Sequence, residues 1–156
     1  MTGELILNAT IMGVGMHLGA WRHRPEPATS YLDLEYYIAA ARLAEEGRLH
    51  GVFLADTLAV SEENLERPNL GAMDPVTVLG AVAASTTNIG LIATASTSYN
   101  EPYNLARRFA TLDLISKGRA GWNVSRHGPS TKPRISGWKQ RWIMTRVTPV
   151  RPSSSR

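Results

Sequence analysis

The chain has 156 residues, with 17 lysines and arginines against 13 acidic residues and a formal net charge of +4. This length is enough for one domain with a hydrophobic core. The chain contains no cysteine, which excludes disulfides, thiolate metal sites and cysteine nucleophiles, and it lacks both a signal-peptide pattern and a run of roughly 18 apolar residues that could span a membrane, so we expect a soluble, cytoplasmic protein.

A first strand is predicted over residues 5–12, where apolar and small residues mix at strand length. It leads into a loop that Gly13 and Gly15 make flexible. That loop carries His17 and Trp21, and in parallel α/β proteins such loops hold catalytic side chains. From the residues alone, however, a basic, aromatic surface loop explains His17 and Trp21 better than a catalytic role does.

Two helices are predicted before the middle of the chain. The first covers residues 33–46, and its predicted apolar face consists of Leu34, Ile38 and Ala41. The second begins with Asp74 as its N-cap and Pro75 in its first turn. Its predicted buried stripe consists of Val76, Leu79, Val82 and Ala83.

Asp56 stands directly after a short apolar run, residues 52–55, which has the character of a strand buried on both faces of a parallel sheet. A helix cap or an ion pair would explain an acid there as well as ligand binding does. Residues 61–73 are polar and broken by proline and glycine, so we expect a loop or an irregular insert.

Residues 89–124 predict a strand, a helix and a second strand in succession. Residues 89–95 are an apolar run of strand length, and Asn100 with Pro102 provides a cap and a first turn for the helix. A second apolar segment begins at Trp122, so the stretch has the composition of a parallel βαβ unit. The predicted apolar face of its helix consists of Leu105, Phe109 and Leu112.

Polar side chains stand where the strands of this unit end. Thr94 and Ser96 close the first strand, and Asn123 occupies the matching point of the second. Parallel α/β proteins bind ligands at the carboxyl ends of their strands. The three residues could therefore bind a ligand, but hydroxyls at this point are more often ordinary loop residues, so position alone does not indicate a function.

The sequence predicts no metal site. Its histidines lack a metal-like spacing with one another or with carboxylates, and they are His17, His23, His50 and His127. No Walker loop or complete dinucleotide-binding glycine pattern is present. The composition therefore favours chemistry that depends on an organic cofactor.

Several sequence motifs occur in the same order as in one known family. They are H at residue 17, AWRH at 20–23, VFLAD at 52–56, DP at 74–75, STSYNEPYNLARRFATLD at 96–113 and GRAGWNV at 118–124. With them the chain resembles the bacterial luciferase-like flavin monooxygenases, in the branch of nitrilotriacetate monooxygenase component A and the dibenzothiophene-sulfone monooxygenases. The resemblance covers residues 5 to 124.

The resemblance implies a reduced-FMN-dependent monooxygenase that uses molecular oxygen, acts on a small-molecule substrate and receives reduced FMN from a separate NAD(P)H-dependent flavin reductase. A deazaflavin-dependent oxidoreductase of the same superfamily is the near alternative. By the same resemblance, His17 and Trp21 face the substrate and are the candidate catalytic residues. The residues that line the FMN site are then Asp56, Thr94, Ser96 and Asn123.

The implied fold is α/β, namely the N-terminal half of a (β/α)8 TIM barrel, because 156 residues are fewer than the about 250 that a whole barrel needs. We expect residues 1–124 to form this partial domain. A truncated barrel leaves two open sheet edges, so we expect weak FMN binding or none, no catalysis by this chain alone, and a tendency to aggregate or to pair with another copy of the chain.

Residues 125–156 form an irregular tail of a different composition. They hold 8 basic residues and no acid, whereas residues 1–124 hold 9 basic and 13 acidic residues, a net charge of 9 − 13 = −4. The tail fits three interpretations: a basic segment that binds nucleic acid, a disordered extension, or the product of a shifted reading frame after Val124. The frameshift interpretation accounts for the most features, and nucleic-acid binding for the fewest.

Overall fold

The computed structural model describes residues 5–13, 15–17, 19–23, 25, 27, 29–56 and 73–126. Strands and helices alternate along the chain. They are β1 (Asn8–Ile11), α1 (Leu34–Glu46), β2 (Gly51–Leu54), α2 (Pro75–Ser85), β3 (Gly90–Ser96), α3 (Pro102–Ser116) and β4 (Ala120–Ser125). Two short 3-10 helices, Ala20–His23 and Ser30–Leu32, lie between β1 and α1.

All four strands pair in parallel, and their order in the sheet is β1-β2-β3-β4. Successive parallel strands joined by helices are the repeating unit of a (β/α)8 barrel, and four of them are half of its strands. The predicted α/β fold is thus confirmed. The first strand is shorter than predicted, because pairing begins at Asn8, while Leu5 and Ile6 are 74% and 69% exposed.

The two faces of the sheet have different neighbours. One face packs against the helices and, together with them, forms the hydrophobic core. Alternate residues of the strands point to this face, as the period of two requires. The core side chains from β2 and β3 are Val52, Leu54, Leu91 and Ala93, and those from α2 are Val76, Val78, Leu79, Val82 and Ala83.

The predicted buried stripe of α2 is confirmed at all four positions, but the apolar face predicted for α1 is wrong at Leu34. Leu34 lies in the first turn of α1 and is 38% exposed, whereas Tyr37 is buried. The Tyr37 hydroxyl donates a hydrogen bond of 2.8 Å to the backbone oxygen of Tyr31. Burial raises the pKa of Tyr37, so this hydroxyl stays a donor at neutral pH.

Glu45 fixes the turn between α2 and β3. One of its carboxylate oxygens accepts the backbone N–H groups of Thr87 at 2.9 Å and Ile89 at 3.0 Å, and that of Asn88 between them. The hydrogen bond from Asn88 leads in lowering the pKa of Glu45, and those from Ile89 and Thr87 add to it, while burial opposes the shift. The carboxylate therefore holds the backbone of the three residues that precede β3.

Replacing this carboxylate is expected to change how stability depends on pH. Glu45→Gln should lower the free energy of unfolding by about 1 kcal/mol at neutral pH, since a charged acceptor is replaced by a neutral one. The folded-state pKa lies below the unfolded one, so this contribution is complete above the unfolded pKa and is lost as pH falls through the folded pKa.

Urea unfolding at a series of pH values between about 7 and about 3 measures the effect. The difference between wild type and Glu45→Gln should shrink toward the acidic end. Glu46→Gln is the matched control, because Glu46 is the next residue on α1 and its carboxylate is exposed. A difference that stays constant over the whole range would contradict the role of Glu45.

Candidate functional site

The sheet face that points away from the helices carries polar residues at its carboxyl end. Thr94 pairs in register with Asn123, and Ser96 pairs with Ser125. Residues two apart on a strand share a face, so these four side chains form two adjacent rows. The sequence predicted three of them, and Ser125 follows from the same period of two, counted onward from Asn123.

Thr94 and Asn123 contact each other directly. The Asn123 side-chain amide donates a hydrogen bond of 3.0 Å to the Thr94 hydroxyl oxygen. Thr94 is 6% exposed, whereas Asn123 is exposed. Within the described part of the chain, this leaves the Asn123 carbonyl oxygen to accept and the Thr94 hydroxyl to donate, so the pair presents one acceptor and one donor side by side.

The amino-terminal end of the same face is lined by small residues. Gly51 and Gly90 pair in register, and a Cβ added at Gly90 would lie 2.9 Å from the backbone oxygen of His50. One row further along, Phe53 pairs with Ile92. The face therefore changes from close backbone packing, through an apolar row, to the polar rows at its carboxyl end.

Ser96 is 1% exposed, and its hydroxyl oxygen accepts the backbone N–H of Ser98 at 3.1 Å. The next residue, Thr97, donates its backbone N–H to the backbone oxygen of Ser125 at 2.9 Å. The loop after β3 is thus tied both to its own strand and to β4. Ser96 acts here as part of the loop structure, in contrast to the exposed Asn123.

Asn100 does not cap α3 as predicted, because the residue before the helix is Glu101, whose side chain makes no capping bond. Asn100 instead donates its side-chain amide to the backbone oxygen of Ser96 at 2.8 Å. Its side-chain oxygen accepts a hydrogen bond of 3.2 Å from Arg108. The capping prediction is therefore wrong, since a contact with the preceding strand replaces the local one.

Asp74 caps α2 as predicted, accepting from the backbone N–H of Thr77 at 2.8 Å and from its hydroxyl at 2.7 Å. Arg108 forms an ion pair with its other carboxylate oxygen at 2.7 Å. Burial alone would raise the pKa of Asp74, but the hydrogen bonds from Thr77 and Arg108, with the charge of Arg108, lower it. The carboxylate is therefore charged at neutral pH.

The remaining candidates lie on other loops. His17 is exposed, and its Nδ1 accepts the backbone N–H of Gly19 at 3.0 Å within its own loop. Trp21 belongs to the 3-10 helix Ala20–His23, and its side chain lies outside what the structure describes. Asp56 follows β2 by two residues and is partly buried. Of these candidates, Thr94 and Asn123 are in direct side-chain contact.

Two kinds of site can be judged only over the described residues. There, no group of three His, Cys, Asp or Glu side chains is placed to hold a metal ion. Within the same ranges, no helix combines the length and the apolar character that crossing a membrane requires. The predicted loop at residues 61–73 lies outside the described residues up to Ala72, and so does the tail from His127 onward.

The family described as luciferase-like monooxygenase matches residues 14–146 of the chain. This range includes all the elements from the loop after β1 to β4. The chain belongs to the luciferase-like monooxygenase family. The match also extends beyond Val124, the last residue of the sequence motifs given above.

Two curated members of the luciferase-like monooxygenase family show the degree of similarity. N-acetyl-S-(2-succino)cysteine monooxygenase of Bacillus subtilis (strain 168) is 44% identical over 122 residues, which are 78% of this chain. Nitrilotriacetate monooxygenase component A of Aminobacter aminovorans is 41% identical over 121 residues, 70% of this chain. The chain spans 27% of the length of each of these relatives.

A solved structure of this family has the same arrangement of strands and helices. EDTA monooxygenase from Chelativorans sp. BNC1 superimposes with a TM-score of 0.73 at 33% sequence identity, over 81% of this chain and 30% of that one. The four strands and three helices described above therefore correspond to a part of a luciferase-like barrel. In such barrels the carboxyl ends of the strands carry the active site.

Proposed function

We propose that the chain carries one side of the flavin site of a reduced-FMN-dependent monooxygenase. The observation that supports this most is the Thr94–Asn123 pair, which presents a donor and an acceptor at the carboxyl end of the sheet. Membership of a family whose compared relatives are named monooxygenases supports the reaction class. Because the chain spans 27% of those relatives, the complete site would include residues beyond the four described strands.

The residues present fit a flavin in kind. The pyrimidine end of an isoalloxazine has an N–H group flanked by carbonyl oxygens, which requires an acceptor and a donor next to each other. The Asn123 carbonyl and the Thr94 hydroxyl supply these groups. Phe53 and Ile92 lie on the same face, one row nearer the amino-terminal ends, and offer apolar surface to the rings.

Reduced FMN, when bound, supplies the electrons that activate molecular oxygen, and a separate NAD(P)H-dependent reductase would deliver it. The chain's own residues would orient the ring through Thr94 and Asn123 and keep water from its apolar surface through Phe53 and Ile92. We place Asp56 and Ser96 at the edge of this site, Asp56 by its position after β2 and Ser96 through the loop it fixes.

We place the substrate above this site, toward the loop that carries His17 and Trp21, because βα loops gather at the carboxyl end of a parallel sheet. The substrate would be a small organic molecule. Relatives are named for an N-acetylated succinocysteine, for nitrilotriacetate and for EDTA. Aminocarboxylates and organosulfur compounds are therefore the first substrates to test.

Titration with FMN, followed by NMR of the labelled full chain, tests the site. We expect saturable shifts of the Thr94, Ser96 and Asn123 signals, and Asn123→Ala should weaken binding about tenfold, since it removes one ring contact and the support of Thr94. Asn104→Ala is the control, because Asn104 is an exposed amide on α3.

The outcomes separate the candidate functions. Shifts elsewhere in the sheet, or equal weakening by Asn104→Ala, would contradict the proposed site. A parallel titration with a deazaflavin tests the alternative cofactor, and clearly tighter binding of the deazaflavin would favour the oxidoreductase. A short oligonucleotide that binds in a strongly salt-dependent manner would favour the nucleic-acid interpretation of the tail.

A further inference from the structure

We propose that Arg108 is a positioning residue for the flavin site, which holds the loop after β3 in place through Asn100. The inference rests on the proposed function for its consequence, but its structural basis is independent of any cofactor. Arg108 lies on α3, and no contact of its guanidinium with the polar rows of the sheet is needed for this role. It acts on the site through the backbone of Ser96.

Three hydrogen bonds connect α2 with the end of β3. One nitrogen of the Arg108 guanidinium donates a hydrogen bond of 2.7 Å to the Asp74 carboxylate. Another donates a hydrogen bond of 3.2 Å to the Asn100 side-chain oxygen. Asn100 then donates 2.8 Å to the backbone oxygen of Ser96. The N-cap of α2 and the last residue of β3 are thus joined through one guanidinium.

The planar guanidinium suits this position because it offers several N–H groups in a fixed fork. Asp74 occupies one branch as a charged partner, which fixes the plane of the group. The other branch then points at Asn100 with a defined direction. A lysine ammonium would keep the attraction to Asp74, but it is a compact point charge and lacks this second, oriented branch.

The loop that Asn100 holds begins at the candidate site. Ser96 is the last residue of β3, and its side chain and backbone oxygen each accept one hydrogen bond from the loop, from Ser98 and from Asn100. Thr97 connects the same loop to the end of β4. Loss of the Asn100 contact should therefore loosen the edge next to Thr94 and Asn123 while it leaves the core packing in place.

A simple brace between α2 and α3 is the competing explanation, and three variants separate the two. Arg108→Ala removes both contacts of the guanidinium. Arg108→Lys keeps the ion pair with Asp74 but loses the oriented contact with Asn100, and Asn100→Ala removes the loop contact but leaves the ion pair. Arg107→Ala is the matched control, since Arg107 is the exposed neighbour on α3.

Amide hydrogen exchange of the full chain, measured without cofactor, gives the first readout. Thr97 and Ser98 report on the loop, and Thr77 reports on the N-terminus of α2. We expect exchange of Thr97 and Ser98 to rise about tenfold in Asn100→Ala, Arg108→Lys and Arg108→Ala. Thr77 should exchange faster only in Arg108→Ala.

FMN titration by NMR gives the second readout, and we expect about fivefold weaker binding in the same three variants and no change in Arg107→Ala. If Thr97 and Ser98 exchange at the wild-type rate in Asn100→Ala or in Arg108→Lys, then Arg108 only joins α2 to α3, and the proposal is overturned. If the Thr94 and Asn123 signals of the wild type do not shift with FMN, the proposed function is wrong. The role of Arg108 is still tested in that case, because the exchange rates show whether it positions the loop.

Discussion

Leu79→Ala is expected to lower the free energy of unfolding by about 2 to 5 kcal/mol, the range for a large core side chain cut back to alanine. Leu79 is 0% exposed in the middle of α2 and belongs to the same buried cluster as Ala41, Val52 and Leu91. The removed atoms lose their transfer free energy, and the surrounding side chains can fill the cavity only in part. Domains of this size have only about 5 to 15 kcal/mol of stability, so the change is a large fraction of it.

Urea unfolding followed by circular dichroism measures this loss. Leu114→Ala is the matched control, because the same atoms are removed from α3 at a position that is 81% exposed. The control should change stability by no more than about 0.5 kcal/mol. Equal losses in the two variants would show that α2 does not pack on the sheet as described.

The helical stripe that contains Leu79 is the kind of feature that the sequence predicts well. Its apolar residues recur at helical spacing, and a capping Asp74 and Pro75 mark its start. Both signals are local, so they can be read without knowledge of the rest of the chain. The apolar runs of β2 and β3 are predicted to within one residue for the same reason.

The sequence is less informative where a tertiary contact replaces a local one. Leu34 has the right spacing for the apolar face of α1, but Tyr37 takes the buried position because its hydroxyl finds the backbone oxygen of Tyr31. Asn100 has the right chemistry for a cap of α3, yet it bonds to Ser96 and Arg108. Both predictions used local signals, and they were wrong because the tertiary partners of Tyr37 and Asn100 cannot be read from those signals.

The candidate site shows the same division. The positions of Thr94 and Asn123 at matching strand ends follow from the pattern, and the structure places them side by side. The loop contacts of Asn100 and Arg108 do not follow from it, because Arg108 and Asp74 are 34 residues apart. Their roles as ligand-binding or positioning residues stay predictions.

The opposite end of the sheet depends on Arg119, which directly precedes β4 and which the sequence pattern did not single out. Its guanidinium donates hydrogen bonds to four backbone oxygens and one hydroxyl, which lie in the segment from the end of α2 to the start of β3 and at the end of α3. These acceptors are the backbone oxygens of Ala83 at 2.9 Å, Thr86 at 3.1 Å, Ile89 at 2.8 Å and Ser116 at 2.8 Å, and the Thr86 hydroxyl at 3.0 Å. One side chain thus joins the end of α2, the start of β3 and the end of α3.

Arg119→Ala is expected to lower the free energy of unfolding by about 3 to 5 kcal/mol, because it leaves several backbone oxygens at helix ends without their charged donor. Arg119→Lys should recover less than half of this, since one ammonium cannot reach acceptors on opposite sides of the guanidinium. Arg42→Ala is the graded control, because Arg42 donates a single bond of 3.2 Å to the backbone oxygen of Ser85. Urea unfolding with amide exchange at Ile89 and Gly90 measures the three variants, and if Arg42→Ala costs as much as Arg119→Ala, the network around Arg119 does not hold this end of the sheet.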